Sequence, residues 1–348
     1  MADSARPLLV LTMGDPVGVG PDLVATVLND PAVYQRCRPL VAGDLPALER
    51  ACRRFAPGLT LRVVSEAGEG RYQAGAVDLL ALSRLDASDL HYGKPTAAGG
   101  AAMVSYILTA VDLAMRGEAA GVVTGPISKL AMHLAGYPHP GHTELLAERT
   151  GAPEVAMMLA GGEFRVVLAT IHCALAEAPG RLSRAGLLSL MRLTCRSLST
   201  QFGLAHPRLG VAALNPHAGE GGLFGREEEE IIAPAVRQAQ AEGLPVEGPF
   251  PADTLFWRHR RGEFAAILCM YHDQGLIPLK LLHFMDGVNV TLGLPIIRTS
   301  VDHGTAYDLA GTGRAHPGSL AAAIFLAAEM AGRKENLKRN LRGGESQT

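Results

Sequence analysis

The sequence lacks an excess of charge of either sign. Its 348 residues include 32 Lys and Arg and 34 Asp and Glu, which gives a formal net charge of −2 at pH 7. A nearly neutral chain offers no general electrostatic attraction to nucleic acid or to an anionic membrane, so any phosphate must be bound by local groups. We therefore expect recognition of a small molecule in a pocket, with no nucleic-acid or membrane partner.

Cysteine is scarce, and its spacing suggests no pairing. The five cysteines are far apart and form no C-x-x-C pair, which argues against a disulfide framework and against a cysteine zinc site. No apolar run near the start has the length of a signal-peptide core, and the run 320–328 is shorter than the 20 or so residues that cross a bilayer. We expect a cytoplasmic protein.

Aromatic residues make up only 5% of the chain, whereas 48% of the residues are hydrophobic and 40 are glycine. This composition is typical of an α/β enzyme rich in small aliphatic residues, and it excludes disordered and fibrous classes. A chain of this length has enough residues for two lobes with a cleft between them.

Short apolar runs that end in glycine, proline or polar residues recur along the chain. The first, Leu8–Thr12, precedes a glycine-rich turn and a helix predicted from about Pro21. Such runs predict a mostly parallel sheet flanked by helices, with the ligand beyond the carboxyl ends of the strands. The other predicted strands cover 121–124, 166–170, 211–214 and 265–270.

Two helices are predicted between these strands. One covers 101–116, and a second begins near Arg226, where Pro234 predicts either a kink or the true first turn. Strands from both ends of the chain end in polar residues that are expected to line one cleft. We therefore expect a discontinuous lobe of about 1–130 plus 285–340 and a central lobe of about 131–284. The active site is expected in the interlobe cleft.

Three histidines directly follow apolar strands: His172, His217 and His272. Imidazole is the commonest metal ligand, and three of them with an open position would form a catalytic type of site. Their spacing matches no local metal motif, so hydrogen-bonded histidines at strand ends are the alternative. Five others are expected to be ordinary surface residues: His133, His139, His259, His283 and His316.

The segment 141–144, Gly-His-Thr-Glu, is expected to open a helix. Free backbone N–H groups at a helix start bind phosphate or carboxylate. The alternative is an ordinary helix cap with an acidic first turn.

Eight motifs in order make the chain resemble the 4-hydroxythreonine-4-phosphate dehydrogenase family from about Leu8 to Ala328. They occupy 14–21, 124–126, 141–144, 215–220, 251–254, 271–275, 287–291 and 297–306. The resemblance implies a two-lobed fold like that of isocitrate and isopropylmalate dehydrogenases, which bind NAD or NADP without a Rossmann domain. The sequence agrees, because it has no G-x-G-x-x-G fingerprint in the expected context.

The resemblance also implies roles for particular residues. It assigns a divalent metal, Zn, Mg or Co, to His172, His217 and His272, with His272 reaching into the neighbouring subunit of a homodimer. It assigns the cofactor to a loop of four residues and the substrate to five side chains. The loop is His303, Gly304, Thr305 and Ala306, and the substrate residues are His142, Thr143, Lys280, Asn289 and Arg298.

The implied reaction is metal-assisted oxidation of 4-phosphooxy-L-threonine to a β-keto acid, which decarboxylates to 3-amino-1-hydroxyacetone 1-phosphate in pyridoxal phosphate biosynthesis. No general base is assigned, and Asp253, Asp273 and a metal-held water are candidates. D-threonate or D-erythronate 4-phosphate and a terephthalate-type dihydrodiol are alternative substrates, because segment 281–286 departs from the glycine-bearing segment associated with the vitamin B6 enzymes.

Two other classes of protein compete with a dehydrogenase. A metal-dependent hydrolase could use the same three histidines to generate a hydroxide nucleophile. A binding protein without catalysis is disfavoured by the number of polar groups that follow the strands.

Overall fold

The structure of the protein is a computed structural model that describes residues 6–345, with the side chains of residues 6–336. The described chain is α/β, and its strand pairs are mostly parallel, which confirms the predicted class. It divides into two compact units. Unit 1 comprises Met1–Val155 and Leu294–Gly332, and unit 2 comprises Ala156–Gly293 and Arg333–Thr348.

Unit 1 is discontinuous in sequence, as predicted, but the chain passes between the units at other residues than expected. The chain leaves unit 1 after Val155 rather than near 130, and it returns at Leu294 rather than near 285. The helix that opens at His142 therefore belongs to unit 1, although it was assigned to the central lobe.

Unit 1 contains six strands in the order β3-β4-β2-β1-β5-β12, and every neighbouring pair is parallel. The strands are β1 Leu8–Thr12, β2 Arg38–Asp44, β3 Thr60–Val64, β4 Ala76–Ser83, β5 Gly121–Thr124 and β12 Ile297–Val301. The helices are α1 Gly20–Leu28, α2 Pro31–Arg36, α3 Leu45–Phe55, α4 Ala97–Met115, α5 Lys129–Leu134 and α6 His142–Thr150, with short 3-10 turns at Ala67–Glu69 and Ala87–Asp89.

Unit 2 also contains six strands, in the order β11-β6-β7-β10-β8-β9. The β11–β6 and β6–β7 pairs are antiparallel, and the others are parallel. The strands are β6 Ala156–Gly161, β7 Phe164–Leu168, β8 Leu209–Ala212, β9 Val246–Phe250, β10 Ala266–Cys269 and β11 Val288–Leu292. The helices are α7 Ala178–Arg181, α8 Arg184–Thr200, α9 Ala233–Ala241, α10 Ala252–Arg260 and α11 His272–Leu282, with 3-10 turns at Leu175–Glu177 and Pro216–Gly219 and a π-helix at Glu228–Ile232. A last helix, α12, covers Gly318–Glu345.

The predicted elements agree closely with the structure. β1 and β5 have the predicted bounds, and β7 and β8 begin two residues earlier than expected. The helix predicted over 101–116 is α4, which begins four residues earlier and ends one residue earlier. Pro234 lies in the first turn of α9, immediately after the π-helix. The α-helical segment therefore begins at Ala233, one residue before this proline, which has no N–H to continue the π-helical pattern.

Helix α4 is long and apolar enough to span a membrane by length and composition alone, but 56% of that apolar window is buried within the protein. It packs against α5 and the strands of unit 1. Core helices pass the same test of length and composition, and the burial of α4 accounts for its apolar residues.

Candidate active site

The three predicted metal-binding histidines follow three neighbouring strands of unit 2. His172 comes after β7, His217 after β8, and His272 after β10, which pairs in parallel with both of the other strands. The carboxyl ends of parallel strands meet at one edge of a sheet, which is the usual place for ligands in α/β proteins.

Of these three histidines, His172 and His272 lie close together. Their ring centroids are 6.0 Å apart, and both line a cavity of about 470 Å³ together with Ile171, Cys173 and Tyr271. His272 Nδ1 is 2.7 Å from a carboxylate oxygen of Asp273. Donation from Nδ1 to a carboxylate would leave Nε2 available as a ligand. Asp273, a candidate base, thus has a second possible role as the partner of His272.

His217 is exposed and lies after β8, in the 3-10 turn Pro216–Gly219, whose backbone conformation is unusual. Its φ is +53°, and its ring lies 6.1 Å from that of Phe224. Among the residues that the structure describes, no three His, Cys, Asp or Glu side chains of one chain are arranged to hold a metal ion. The chain thus brings together two histidines of the predicted set, while ligation by all three stays a prediction.

A larger cavity, of about 610 Å³, lies at the opposite edge of the unit 2 sheet. It is lined by residues at the amino ends of β7, β8 and β10, including Arg165, Arg208 and His283. None of the motif histidines that follow the strands lines it. Strand polarity therefore identifies the smaller cavity as the better candidate site.

Arg298 lies on β12, directly opposite Val122 of β5 in the sheet of unit 1. Only 3% of the residue is exposed, and Nε and Nη2 both donate to Thr124 Oγ1, at 3.2 and 2.8 Å. Burial lowers the pKa of Arg298 to about 9, which leaves the guanidinium protonated at neutral pH. The hydroxyl that holds it belongs to the predicted 124–126 motif.

His142 is the first residue of α6 and interacts electrostatically with Arg298. Burial and, secondarily, the Arg298 cation lower the pKa of His142 well below its ordinary value, so that the imidazole is neutral. Its Nε2 is buried and has no hydrogen-bond partner. No side chain caps the amino end of α6, where Thr143 follows, so the first amides can bind an anion.

The two remaining substrate residues of the prediction lie in unit 2. Lys280 is in the last turn of α11, with its Nζ 5.5 Å from the centre of the Phe284 ring, and Asn289 is on β11. Both are half-buried. The structure thus brings His142, Thr143 and Arg298 together in one unit and places Lys280 and Asn289 in the other.

The predicted cofactor loop packs on the glycine-rich turn of unit 1. The Val19 amide donates to the Thr305 carbonyl at 3.0 Å, and a Cβ added to Gly18 would lie 3.0 Å from the same oxygen. His303 and Gly304 are exposed, and Ala306 has φ +41°. Binding of NAD or NADP by this loop stays a prediction.

Sequence reasoning missed a buried acid beneath this loop. The Tyr307 hydroxyl donates to Asp15 Oδ2 at 2.6 Å, and the Val17 amide donates to the other carboxylate oxygen at 2.9 Å. Burial raises the pKa of Asp15, while the two hydrogen bonds oppose the rise, and burial also raises the pKa of Tyr307 to about 12. The available signal was that Asp15 lies within the 14–21 motif and Tyr307 directly follows the 297–306 motif.

One prediction about the histidines is wrong. His259 is not a surface residue, because it is only 4% exposed, and its two ring nitrogens contact the Phe264 carbonyl and the Arg165 amide, both at 2.9 Å. Burial lowers the pKa of His259 to about 4. His133 and His316 are exposed as expected, whereas His139 and His283 are half-buried.

Comparison with known proteins identifies the family. The family model described as "Pyridoxal phosphate biosynthetic protein PdxA" matches residues 35–327. A 4-hydroxythreonine-4-phosphate dehydrogenase of Desulforapulum autotrophicum is 55% identical over 93% of this chain and 95% of its own length. A D-threonate 4-phosphate dehydrogenase of Cupriavidus necator is 45% identical over 94% and 98%.

A solved structure agrees with this assignment. The crystal structure of 4-hydroxythreonine-4-phosphate dehydrogenase from Klebsiella pneumoniae has a TM-score of 0.86 and 38% identity, and the match covers 94% of this chain and all of that one. Sequence and fold therefore agree over nearly the whole length, and the chain belongs to the PdxA family.

Proposed function

We propose that the protein is a metal-dependent NAD or NADP dehydrogenase that oxidises the secondary alcohol of 4-phosphooxy-L-threonine in pyridoxal phosphate biosynthesis. The observation that carries this proposal is the 55% identity, over 93% of the chain, with a relative named for that activity. The keto acid formed would lose carbon dioxide to give 3-amino-1-hydroxyacetone 1-phosphate.

The anion-binding features of unit 1 support a phosphorylated substrate. Arg298 is a buried cation with several donors, His142 is neutral, and the uncapped start of α6 presents backbone amides. A guanidinium can donate two parallel hydrogen bonds to a phosphate or carboxylate. Thr143 could add a hydroxyl, and Lys280 and Asn289 would complete the proposed substrate set.

The donor chemistry of unit 2 fits a divalent ion. His172 and His272 face one cavity, the Asp273 carboxylate contacts His272 Nδ1, and His217 lies in the 3-10 turn after the adjacent strand β8. When bound, such an ion supplies an electrophile for the alcohol oxygen. Nitrogen ligands suit Zn and Co better than Mg.

The second candidate substrate is D-threonate 4-phosphate, because a relative 45% identical over 94% of the chain carries that name. Both substrates have a phosphate and a secondary alcohol, so the anion site in unit 1 does not discriminate between them. The two substrates differ in that 4-phosphooxy-L-threonine has an amino group where D-threonate 4-phosphate has a hydroxyl. A neutral or acidic side chain beside this position would favour the amino group, and a cationic side chain would not.

A homodimer is part of the proposal. Five large apolar side chains on α11 and the segment after it are exposed, with Leu281 at 83% and Phe284 at 69%, together with Ile277, Leu282 and Met285. An exposed apolar face of this kind is typical of a protein interface. It lies on the helix that begins with His272, which is the residue proposed to serve the neighbouring subunit.

The test is a turnover screen of the purified protein with NAD and NADP and with Zn, Co or Mg. The substrates are 4-phosphooxy-L-threonine, D-threonate and D-erythronate 4-phosphates, and the terephthalate dihydrodiol. We expect reduced cofactor to appear fastest with 4-phosphooxy-L-threonine, and a chelator to abolish the reaction until metal is restored. Phosphate release without cofactor reduction would instead identify a hydrolase, and full turnover in metal-free protein would refute metal dependence.

A further inference from the structure

The turn that carries His217 has an unusual backbone. Six consecutive residues, 217–222, have positive φ values between +44° and +89°, and three of them are not glycine: His217, Ala218 and Glu220. Residues with a Cβ disfavour this left-handed region, and such conformations persist only where the surroundings impose them. Some part of the protein must therefore hold this turn in place.

Glu228 binds the chain where it enters this turn. The residue is 3% exposed, and its Oε1 accepts hydrogen bonds from the amides of Leu214 and Asn215, both at 2.8 Å. Its Oε2 accepts from Asn215 Nδ2 at 2.9 Å. A Cβ added to Gly219 would lie 2.8 Å from the same Oε2. The carboxylate thus contacts the chain on both sides of His217.

The backbone around Glu228 is itself irregular. Glu228 is the first residue of the π-helix Glu228–Ile232, and the amide of Ala233 donates to its carbonyl. Such wide turns are rare and are frequent at functional sites. Of the four successive glutamates 227–230, only Glu228 is buried, while half-buried Glu227 also accepts from Asn215 Nδ2, at 2.7 Å.

We propose that Glu228 is a positioning residue that presents the His217 imidazole for metal binding. The inference rests on the metal site of the proposed function and deepens it. A carboxylate is the side chain that can accept all three of these hydrogen bonds at once, and hydrogen bonds to an ionised acceptor are stronger than neutral ones. A glutamine here would keep one acceptor oxygen but would place an N–H₂ group against Asn215 Nδ2, which is also a donor.

The experiment compares Glu228→Gln with Glu229→Gln, an exposed neighbour that loses the same charge. Co or Zn affinity is measured by competition with a chromophoric chelator, and hydrogen exchange of the amides of 214–222 is measured in metal-free protein. We expect Glu228→Gln to weaken metal binding about 10- to 100-fold, as is usual for residues that orient ligands, and to speed exchange at Leu214 and Asn215. Glu229→Gln should match the wild type in both measurements.

Two further variants make the outcomes distinguishable. His217→Ala tests the metal site itself, and if it binds metal as tightly as the wild type, the proposed function fails at this residue. If His217→Ala weakens binding while Glu228→Gln changes neither affinity nor exchange, the positioning role is refuted. Asn215→Ala loosens the same contact from the other side and serves if Glu228→Gln does not fold; normal metal affinity in that variant would also overturn the proposal.

Saturating metal provides a final readout. If Glu228 acts only through His217, the turnover of Glu228→Gln should recover at saturating metal, with an unchanged Michaelis constant for the cofactor. Turnover that stays low at full metal occupancy would show that Glu228 does not act by positioning a ligand, and would overturn the proposal.

Discussion

Arg298 is the clearest single-residue determinant of the proposed anion site, because it is buried and held by Thr124. We predict that Arg298→Lys raises the Michaelis constant for the phosphorylated substrate. An ammonium cannot reproduce the two parallel donors of guanidinium, and a lost charged contact costs about 1.5–3 kcal/mol, or roughly 10- to 150-fold. Steady-state kinetics and metal analysis provide the measurement. An unchanged Michaelis constant would remove Arg298 from the site.

Buried His259 predicts a pH dependence of stability. Its folded-state pKa of about 4 lies below the ordinary value of 6.5, so the unfolded chain takes up the proton first. The stability that this residue contributes is therefore present above about pH 6.5 and is lost as the pH falls towards 4, up to about 3 kcal/mol. Urea unfolding between pH 4 and 7 measures the loss.

The variant that tests this pH dependence is His259→Gln. It should lower stability at pH 7 and flatten the profile below pH 6.5, because it removes the buried imidazole. A profile for His259→Gln as steep as that of the wild type would assign the acid sensitivity to other groups, among which His142 also has a lowered pKa.

Sequence motifs supply candidate site residues, whose roles stay predictions, but they do not reveal the surroundings of those residues. The motif around Arg298 was recognisable, yet its burial and its bond to Thr124 come from strand pairing across 174 positions of sequence. His259 could not be distinguished from His316, because its burial depends on contacts with Arg165, which is 94 positions away. Local patterns contain no information on such distant contacts.

At the scale of elements, the turn after β1 depends on glycine for space as well as for conformation. Gly14 has φ +78°, and a Cβ there would lie 2.5 Å from the Pro126 carbonyl oxygen. We predict that Gly14→Ala lowers the free energy of unfolding by more than the roughly 1–2 kcal/mol expected from left-handed backbone alone. Displacement of the turn should also raise the Michaelis constant for the cofactor, because Val19 bonds to Thr305.

Gly117 provides a matched control for Gly14. Its φ is +75°, but a Cβ there would have nothing within 4 Å. Gly117→Ala should therefore show the backbone cost without the steric one and leave cofactor binding unchanged. Equal losses in the two variants, measured by denaturant unfolding, would show that the close approach to Pro126 contributes nothing.

Strands and helices with a clear local sequence pattern were predictable, and the irregular elements were not. β1 and β5 are continuous apolar runs with a glycine turn after them, and both have the predicted bounds. The π-helix at Glu228–Ile232 was expected only as a helix start, because four successive glutamates look alike in sequence. The packing that turns one of them inward is a property of the folded unit.

At the scale of the whole molecule, the proposed homodimer predicts complementation. His217→Ala and His272→Ala should each be inactive, because two remaining ligands hold a catalytic ion poorly. If His272 serves the neighbouring subunit, a mixed dimer of the two variants contains one complete site and one with both defects. Co-expression should then restore part of the activity, with at most one working site per mixed dimer.

The arrangement of His172 and His272 within one chain makes this experiment decisive, because their rings are only 6.0 Å apart. A site formed entirely by one chain would leave every mixed dimer inactive. Mixed dimers that form, contain folded subunits and remain inactive would thus assign all three histidines to a single chain.

The discontinuity of unit 1 also sets an order for the growing chain on the ribosome. All six strands of unit 2 lie between β5 and β12, so they are synthesised before the strand that pairs with β5 on its other side. Every strand of unit 2, and the three histidines that follow them, are therefore synthesised while unit 1 still lacks β12. A nascent chain that stops before Ile297 would contain every proposed metal ligand and no Arg298.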